Sequence, residues 1–357
     1  MTINLSALID NWRICAAQAP NVQTAAVIKA DAYGLGLTSV TPSLVKVGCE
    51  CFFVALVEEG KQVRYLAPDS AIYVMNGLFP GLSDTLTHYN LRPCLGSLEE
   101  IHEWVNFCRM RDIRPPVALH IDSGMNRLGL SSYDVRTLAG DHDLLNALNI
   151  TLIMSHLACA SMPSHPMNEK QLRCFNELRA LLPTAPASLA NTAGIWLGPP
   201  YHFDVIRPGI GLYGGNPNPE RPSPFKTVVT LEAPIIKIRT ISAGESVGYD
   251  ANYTAQSDRR IAIISTGYAD GYPYALGAGH SPATARAADI DVPIIGRISM
   301  DMLALDITDT PPDSLKRGDC VELFGNQISL ERLATAAKTT SYEILTRIGK
   351  RYDHCYI

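Results

Sequence analysis

Residues 25–36 read AAVIKADAYGLG, an apolar run that ends at a lysine and is followed by a tyrosine and two glycines. A short apolar run next to turn-forming residues is typical of a buried strand. Burial disfavours the charged form of a lysine and lowers its pKa, and the neutral amine attacks carbonyl groups. The stretch therefore predicts a strand whose carboxyl end carries Lys29 as a nucleophile able to form a Schiff base.

Similar runs recur through the first two thirds of the chain. Including the first, they read AAVIKA, FFVAL, AIYVMNG, LRPCLGS, VALHID, LIMSHLA, ASLANT and FDVIRPG. Segments with helical apolar spacing, such as residues 98–111 and 169–182, separate most of them. Strands that alternate with helices indicate a parallel sheet, and eight such units favour a closed (β/α)8 barrel over an open sheet.

The pattern changes at residues 216–225, NPNPERPSPF, whose prolines should interrupt regular structure. The later runs VVTLEAPIIKIRTI, RRIAIISTG, VPIIGRISMDMLALDI and DCVELFG are typical of strands, and no long amphipathic helix is expected before residues 330–338. We therefore expect an α/β chain: a TIM-type barrel at residues 1–224, followed by a mostly-β domain at residues 225–357.

Composition argues against several classes of partner. The chain has 30 basic and 35 acidic residues, a net charge of −5 that gives no reason to expect nucleic acid or an anionic membrane. The amino-terminal residues MTINLSALIDNWR do not resemble a signal peptide. Nine cysteines without a CxxC pair are expected to be free thiols in a reducing, cytoplasmic compartment, with no metal site.

The active site of a parallel barrel lies at the carboxyl ends of its strands. Polar residues at the predicted strand ends are Lys29, Asp122, Arg127, His156, Asn191 and Arg207. Any one of them could be an isolated polar group near a loop, but together they predict one site.

Two glycine-containing motifs have alternative interpretations. Residues 207–214, RPGIGLYG, match GxGxxG, but GNPNPERP follows where a dinucleotide-binding motif requires a helix, so we reject that function. The motif is either a turn or a set of backbone amides that approach a phosphate. In GYADGYP, residues 267–273, Tyr268 is either a turn residue or a side chain presented to a site elsewhere.

Seven motifs in order, spanning residues 25–301, resemble those of the alanine racemases, the pyridoxal-phosphate (PLP) enzymes of fold-type III. They are AVIKADAYGLG, HIDSGMNRLGL, SHLACA, NTAG, RPGIGLYG, GYADGYP and GRISMD, and the later SYEILTRIGKRY is similar too. The resemblance implies a PLP-binding barrel and a β domain in a homodimer with shared active sites. It also implies interconversion of L- and D-alanine, either to supply D-alanine for peptidoglycan or to degrade it.

The resemblance assigns a role to each matching residue. The two catalytic bases would be Lys29, which binds PLP, and Tyr268 of the other subunit. The remaining cofactor-binding residues would be Tyr33, His156, Asn191, Thr192, Arg207, Gly209 and Ile210. The substrate-binding groups would be Arg127 and the Met300 backbone amide.

Elementary chemistry is consistent with these roles. Racemisation removes a proton from one face of a carbon and returns one to the other face, so it needs two acid–base groups. A free tyrosine has a pKa near 10 and needs nearby positive charge, such as that of His156 or Arg207, to act as a base. An arginine at the pyridine nitrogen cannot accept a proton, so it favours simple reprotonation over side reactions.

Three positions depart from the family pattern. Thr192 replaces the more frequent serine and keeps the hydroxyl. His120 replaces a lysine that the family carries as a carbamate, and we expect His120 to help position Arg127. Lys350 replaces a tyrosine that meets the phosphate, with Tyr352 two residues later, so either could take that role.

The residues alone leave other functions open. A racemase of another small amino acid, such as serine, could carry the same motifs. A basic amino-acid decarboxylase of the same fold type would supply a Cys–Asp pair where this chain has Tyr268. A non-catalytic PLP carrier would not require the β domain.

Overall fold

The computed structural model describes residues 1–218, 221–277 and 283–357. The chain divides into two compact units. The barrel unit comprises Ile9–Leu212 and Pro217–Phe225, and the β unit comprises Met1–Leu8, Tyr213–Asn216 and Lys226–Ile357.

The first strand, β1 (Thr2–Ile3), belongs to the β unit and is followed by helix α1 (Leu5–Gln18). The strands of the barrel unit are β2 (Gln23–Thr24), β3 (Ala26–Val27), β4 (Cys51–Val54), β5 (Ala71–Val74), β6 (Arg92–Leu95), β7 (Pro116–His120), β8 (Asn149–Met154), β9 (Ala187–Ser188) and β10 (Val205–Ile206). Strands β3 to β9 form one parallel sheet in chain order.

Strand β10 closes this sheet into a barrel. It pairs in parallel with β2, and the Ala25 amide donates to the Ile206 carbonyl oxygen at 3.0 Å. On its other side, the Arg207 amide donates to the Ala190 carbonyl oxygen at 2.9 Å. Because β2 and β3 are one strand interrupted at Ala25, eight strands complete the ring.

The helices of this part of the chain alternate with the strands, as the sequence predicts. After α1 they are α2 (Lys29–Tyr33), α3 (Leu37–Val45), α4 (Val57–Leu66), α5 (Ser83–His88), α6 (Leu98–Arg111), α7 (Ser132–Gly140), α8 (His142–Ala147), α9 (Pro166–Arg179) and α10 (Thr192–Ile195), with 3-10 turns at Pro199–Tyr201 and Ile210–Tyr213. All four residues of β4 are buried, as expected for a strand covered on both faces.

The β unit is built on antiparallel strands. They are β11 (Val229–Ile241), β12 (Ser246–Val247), β13 (Tyr253–Thr254), β14 (Arg259–Ile264), β15 (Thr284–Ala287), β16 (Ile290–Ile295), β17 (Leu303–Asp306), β18 (Cys320–Phe324) and β19 (Cys355–Tyr356). The order β14-β17-β16-β15-β18-β11 closes on itself, because the long strand β11 pairs with β18 through its first half and with β14 through its second. Helices α11 (Leu330–Ala336) and α12 (Ser341–Arg347) and 3-10 turns at Tyr249–Ala251, Tyr268–Asp270 and Tyr274–Gly277 complete the unit.

The predicted fold class, a barrel followed by a mostly-β domain, is confirmed. The two units differ from the predicted ranges 1–224 and 225–357 at Met1–Leu8 and Tyr213–Asn216, which belong to the β unit, and at Phe225, which belongs to the barrel unit. Met1–Leu8 joins the β unit because β1 pairs with β11 and β19. The proline-rich segment at 216–225 includes residues 219–220, which lie outside the described residues. Within the described parts of the chain, no helix is both long enough and apolar enough to cross a membrane.

Candidate active site

Lys29 follows β3 and begins α2, which is a left-handed turn. Ala30, Asp31 and Ala32 all have φ of +54°, and Tyr33 has φ of +56°. A left-handed conformation costs a residue with a side chain about 1–2 kcal/mol, and it persists only where the surrounding structure holds it. The turn therefore places Lys29 and Tyr33 at the two ends of one strained segment, a feature that the sequence does not predict.

The Lys29 amine is half-buried, and its pKa lies below the ordinary lysine value. Burial is the largest cause, and the positive charge of Arg127 acts in the same direction. The Glu59 carboxylate opposes both. The direction agrees with that expected for a lysine at the end of a buried strand.

Arg127 lies on a loop that Asp122 organises. One Asp122 carboxylate oxygen accepts hydrogen bonds from the three backbone amides of residues 124–126 at 2.9–3.1 Å. The loop returns to its start, because the Asp122 amide donates to the Leu130 carbonyl oxygen at 2.9 Å. Gly129 has φ of +110°, and a Cβ there would lie 2.6 Å from the Asp122 nitrogen. The loop is thus tightly fixed, while the Arg127 side chain is exposed.

Two histidines face the same group of positive charges. Burial lowers the pKa of His120 to about 4, with the charges of Arg207 and Arg127 acting in the same direction and Asp122 against them. Burial and the same two arginines also hold the pKa of His156 well below the ordinary value. Both imidazoles are therefore neutral near pH 7, and the expectation that His156 supplies positive charge to Tyr268 is wrong, which leaves Arg207 as the expected source. The Asn191 amide group donates to His156 Nε2 at 3.4 Å when the ring carries its proton on Nδ1.

Arg207 is buried inside the barrel unit, with 2 % of its surface exposed. Its guanidinium donates to the Ser188 hydroxyl and, at 2.6 Å, to the Ser155 carbonyl oxygen, and it lies 5.7 Å from the centre of the Phe53 ring. Burial lowers the pKa of Arg207 to about 10, so the group remains cationic at neutral pH. Among the described residues no carboxylate pairs with it.

Tyr33, Thr192 and Gly209 converge at another point of the barrel unit. The Thr192 hydroxyl oxygen accepts the Gly209 amide at 2.8 Å. A Cβ on Gly209 would lie only 2.5 Å from the Tyr33 hydroxyl oxygen, so glycine is required for this approach. Ile210 begins the 3-10 turn that follows. Two hydroxyl groups beside a glycine turn are suited to bind a phosphate, but the Gly209 amide predicted for that role donates to Thr192 in this structure.

In the β unit, Tyr268 and Met300 lie on one exposed surface. The Tyr268 amide donates to the Ser299 carbonyl oxygen at 3.1 Å, and the Ala269 amide donates to the Met300 carbonyl oxygen at 3.0 Å. Gly267 permits this contact, because a Cβ there would lie 2.3 Å from both acceptor oxygens. Tyr268 is 44 % exposed, and no described residue is hydrogen-bonded to its hydroxyl. Tyr268 is thus presented outward on a tight loop.

Arg351 joins the two loops that carry Tyr268 and Met300, a link that the sequence does not predict. Its guanidinium pairs with Asp270 at 3.1 Å and with Asp301 at 2.9 Å. The other Asp270 oxygen accepts the Gly267 amide at 2.8 Å.

The two residues considered for a phosphate role near the carboxyl terminus differ in their surroundings. The Tyr352 hydroxyl is hydrogen-bonded to the Thr266 hydroxyl, and burial raises the pKa of Tyr352 to about 12. Lys350 is exposed, and no described residue binds its amine.

Comparison with known proteins identifies the same family over both units. A model described as "Alanine racemase, N-terminal domain" matches residues 3–217, and one described as "Alanine racemase, C-terminal domain" matches residues 228–356. An alanine racemase of Methylobacterium nodulans is 46 % identical over all of this chain and 95 % of its own length.

Solved structures of alanine racemases are also similar to this chain. The crystal structure of the Bartonella henselae enzyme contains covalently bound pyridoxal phosphate. It matches this chain with a TM-score of 0.96 and 38 % identity, and the match covers 100 % of this chain and 98 % of that one. The biosynthetic enzyme of Pseudomonas aeruginosa has a TM-score of 0.93 and 34 % identity with the same two coverages.

Proposed function

This chain belongs to the alanine racemase family, and we propose that it interconverts L- and D-alanine with Lys29 and the partner subunit's Tyr268 as its two bases. The observation that carries the proposal is the left-handed turn. It places an amine of lowered pKa, Lys29, at one end and the Tyr33 hydroxyl, which lies against Gly209, at the other. A single short segment thus presents both an amine for a carbonyl group and a hydroxyl for a phosphate.

The residues present fit PLP. Tyr33, Thr192, Gly209 and Ile210 would hold its phosphate, since Gly209 leaves a cradle that a Cβ would fill. Arg207 would lie near its ring nitrogen. When bound, PLP supplies an electron-withdrawing ring that acidifies the α-proton of an amino acid.

Each base acts on one face of the α-carbon. The lowered pKa of Lys29 increases the fraction of its amine that is neutral and able to take the proton. The Tyr268 hydroxyl, exposed and without a described partner, would exchange a proton at the opposite face after a second copy of the chain presents it. Because Arg207 stays cationic and gives no proton to the ring nitrogen, rapid reprotonation is favoured over competing chemistry.

The substrate carboxylate would bind to the Arg127 guanidinium and the Met300 amide of the partner subunit. The neutral His120 imidazole has a lone pair that can accept a hydrogen bond from Arg127, so it would position that side chain without a carbamate. His156 and Asn191 would complete the cofactor site as a hydrogen-bonded pair.

We expect the assembly to be a homodimer, because the proposed role of the outward-facing Tyr268 requires a second subunit. The reaction would either supply D-alanine for peptidoglycan or begin the degradation of D-alanine. Nine free thiols are consistent with a cytoplasmic location.

Subunit mixing tests the shared site. Lys29→Ala and Tyr268→Phe homodimers should each be nearly inactive. In a mixed dimer one of the two sites contains both native residues, so statistical exchange should restore about a quarter of the native activity. Absence of recovery, with mixed dimers demonstrated by native mass spectrometry, would show that Tyr268 serves its own chain.

Two further measurements address the cofactor and the substrate. Lys29→Ala should not form the visible absorbance of a PLP–lysine linkage, and a borohydride-reducible linkage in that variant would contradict the assignment of Lys29. Incubation of the native enzyme with L-alanine, L-serine or L-lysine in heavy water should place deuterium on the α-carbon and yield the D-isomer, with alanine reacting fastest.

A further inference from the structure

Glu59 connects two neighbouring loops at the carboxyl ends of the barrel strands. Its Oε1 accepts the Ala30 amide at 2.6 Å, and its Oε2 accepts the amides of Ala55 and Leu56 at 2.8 and 3.1 Å. Ala30 directly follows Lys29, whereas Ala55 and Leu56 lie between β4 and α4. A carboxylate that accepts three backbone amides is a strong, charge-assisted tie between the two loops.

The same arrangement occurs a second time in the barrel unit. Glu100 stands third in α6, as Glu59 does in α4. Its Oε1 accepts the Leu78 amide of the preceding strand–helix loop at 2.9 Å, and its Oε2 accepts the amides of Gly96 and Ser97 in its own loop. The barrel unit thus contains the arrangement twice. In the case of Glu59, the preceding loop that the carboxylate binds is the one that carries Lys29.

The left-handed turn makes this copy important. The Ala30 amide belongs to the peptide group that joins Lys29 to Ala30, and its position decides where the Lys29 side chain starts. Ala30 to Tyr33 adopt a backbone conformation that is unfavourable for all four residues. A hydrogen bond at the first peptide of the turn opposes its relaxation to an ordinary right-handed turn.

We propose that Glu59 is a positioning residue that fixes the Lys29–Ala30 peptide and so holds the Lys29 amine at its working place. The inference rests on the proposed role of Lys29. Glu59 is also the negative group that acts on Lys29, and it limits the fall in the pKa of the amine caused by burial and Arg127.

Glu59→Gln separates these effects from simple packing. Glutamine has the same shape, but one of the two carboxylate oxygens is replaced by an NH2 group. That group is a donor, so it cannot accept the backbone amides of the loop that it faces. One of the two loops is then released, and the negative charge next to Lys29 is lost. Glu100→Gln should release the corresponding loop around Glu100 in the same way, but it leaves the Lys29 loop and the negative charge next to Lys29 unchanged, so it is the matched control.

The first test measures Lys29 itself in the cofactor-free protein. Competitive labelling with acetic anhydride across a pH series, read by mass spectrometry, gives the titration of the Lys29 amine. Glu59→Gln should move this titration to lower pH, while Glu100→Gln should leave it at the native position. Glu59→Asp keeps the charge and should move it less than Glu59→Gln does.

The second test measures PLP binding. Loss of a hydrogen bond to a charged group should weaken PLP binding to Glu59→Gln by roughly tenfold relative to Glu100→Gln. A native Lys29 titration in Glu59→Gln, or equal effects of the two glutamine variants, would overturn the inference. The labelling result does not depend on which lysine binds PLP, so failure of the Lys29 assignment remains distinguishable.

Discussion

Replacement of Gly209 by alanine tests the phosphate cradle most directly. The added Cβ would lie 2.5 Å from the Tyr33 hydroxyl oxygen, 3.3 Å from Tyr33 Cζ and 3.6 Å from Val27 Cβ. Comfortable contact needs roughly 3.5 Å, so the hydroxyl must retreat by about 1 Å. Overpacking of this kind costs about 1–3 kcal/mol.

This cost should appear mainly in cofactor affinity. Tyr33 is only 5 % exposed, so its hydroxyl moves with the packed ring, and the shift that makes room for the methyl group takes the hydroxyl away from the place where it would donate to the phosphate. A cost of about 1–3 kcal/mol corresponds to about a 5- to 150-fold rise in the PLP dissociation constant. Titration of the cofactor-free protein with PLP, followed by visible absorbance, measures the change, and thermal unfolding shows whether the fold is retained.

A double-mutant cycle identifies the contact responsible. Tyr33→Phe removes the hydroxyl and leaves Cζ at 3.3 Å as the nearest atom, so Gly209→Ala should cost less in that background. Gly140→Ala is the matched control, because a Cβ there meets nothing within 4 Å. Native PLP affinity in Gly209→Ala, or an equal cost with and without the Tyr33 hydroxyl, would refute the proposed cradle.

Three further predictions concern charged groups. His120 has a pKa of about 4 in the folded chain and about 6.5 in the unfolded chain, so between these values only the unfolded chain binds the proton. The contribution of His120 to the free energy of unfolding should therefore fall by about 3 kcal/mol as the pH drops from 7 to 4. His120→Asn should remove this contribution from the profile in urea titrations, while that of His156 remains, and should lower racemase activity. Stripping bicarbonate should not affect the native enzyme. An unchanged profile or native activity in the variant would contradict this. Arg207→Met removes a buried charge that no described carboxylate balances, but it also leaves the Ser155 carbonyl oxygen without this donor. The two effects oppose each other, so the free energy of unfolding should change by less than about 3 kcal/mol while activity is lost, and a larger loss of stability would contradict this balance. Asp270→Asn weakens the pair with Arg351 that holds the Tyr268 loop, so kcat should fall while PLP affinity stays native, and the reverse pattern would disprove it.

Much of the barrel could be predicted because its signals are local. Each buried strand is an apolar run, and each helix has its own apolar spacing, so the alternation is visible without knowledge of contacts. The rule that parallel barrels act at strand carboxyl ends then selects residues such as Lys29 and Arg207. The lowered pKa of Lys29 follows from the same reasoning, since it depends on burial at that point.

Features that depend on distant partners could not be predicted. KADAY, residues 29–33, has ordinary helix-forming residues, and its left-handed turn is held by Glu59 from the next strand–helix unit. Thr2 and Ile3 belong to the β unit because they pair with Thr230 and Val229, more than 220 residues later. Neither arrangement leaves a local pattern in the sequence.

The charges around Lys29 explain how one site can bind anions and still contain a reactive amine. The positive charge of Arg127 lowers the pKa of Lys29, so the group that we propose to bind the substrate carboxylate would also help to keep the proposed base neutral. His120 and His156 add no further positive charge, because burial and the charges of Arg127 and Arg207 lower the pKa of both imidazoles and keep them neutral. Glu59 supplies the opposing negative charge, and its three hydrogen bonds to backbone amides keep that charge at a fixed place next to Lys29. The same carboxylate therefore contributes to the pKa of the amine and, in our proposal, to its position, so a change at Glu59 should alter both together.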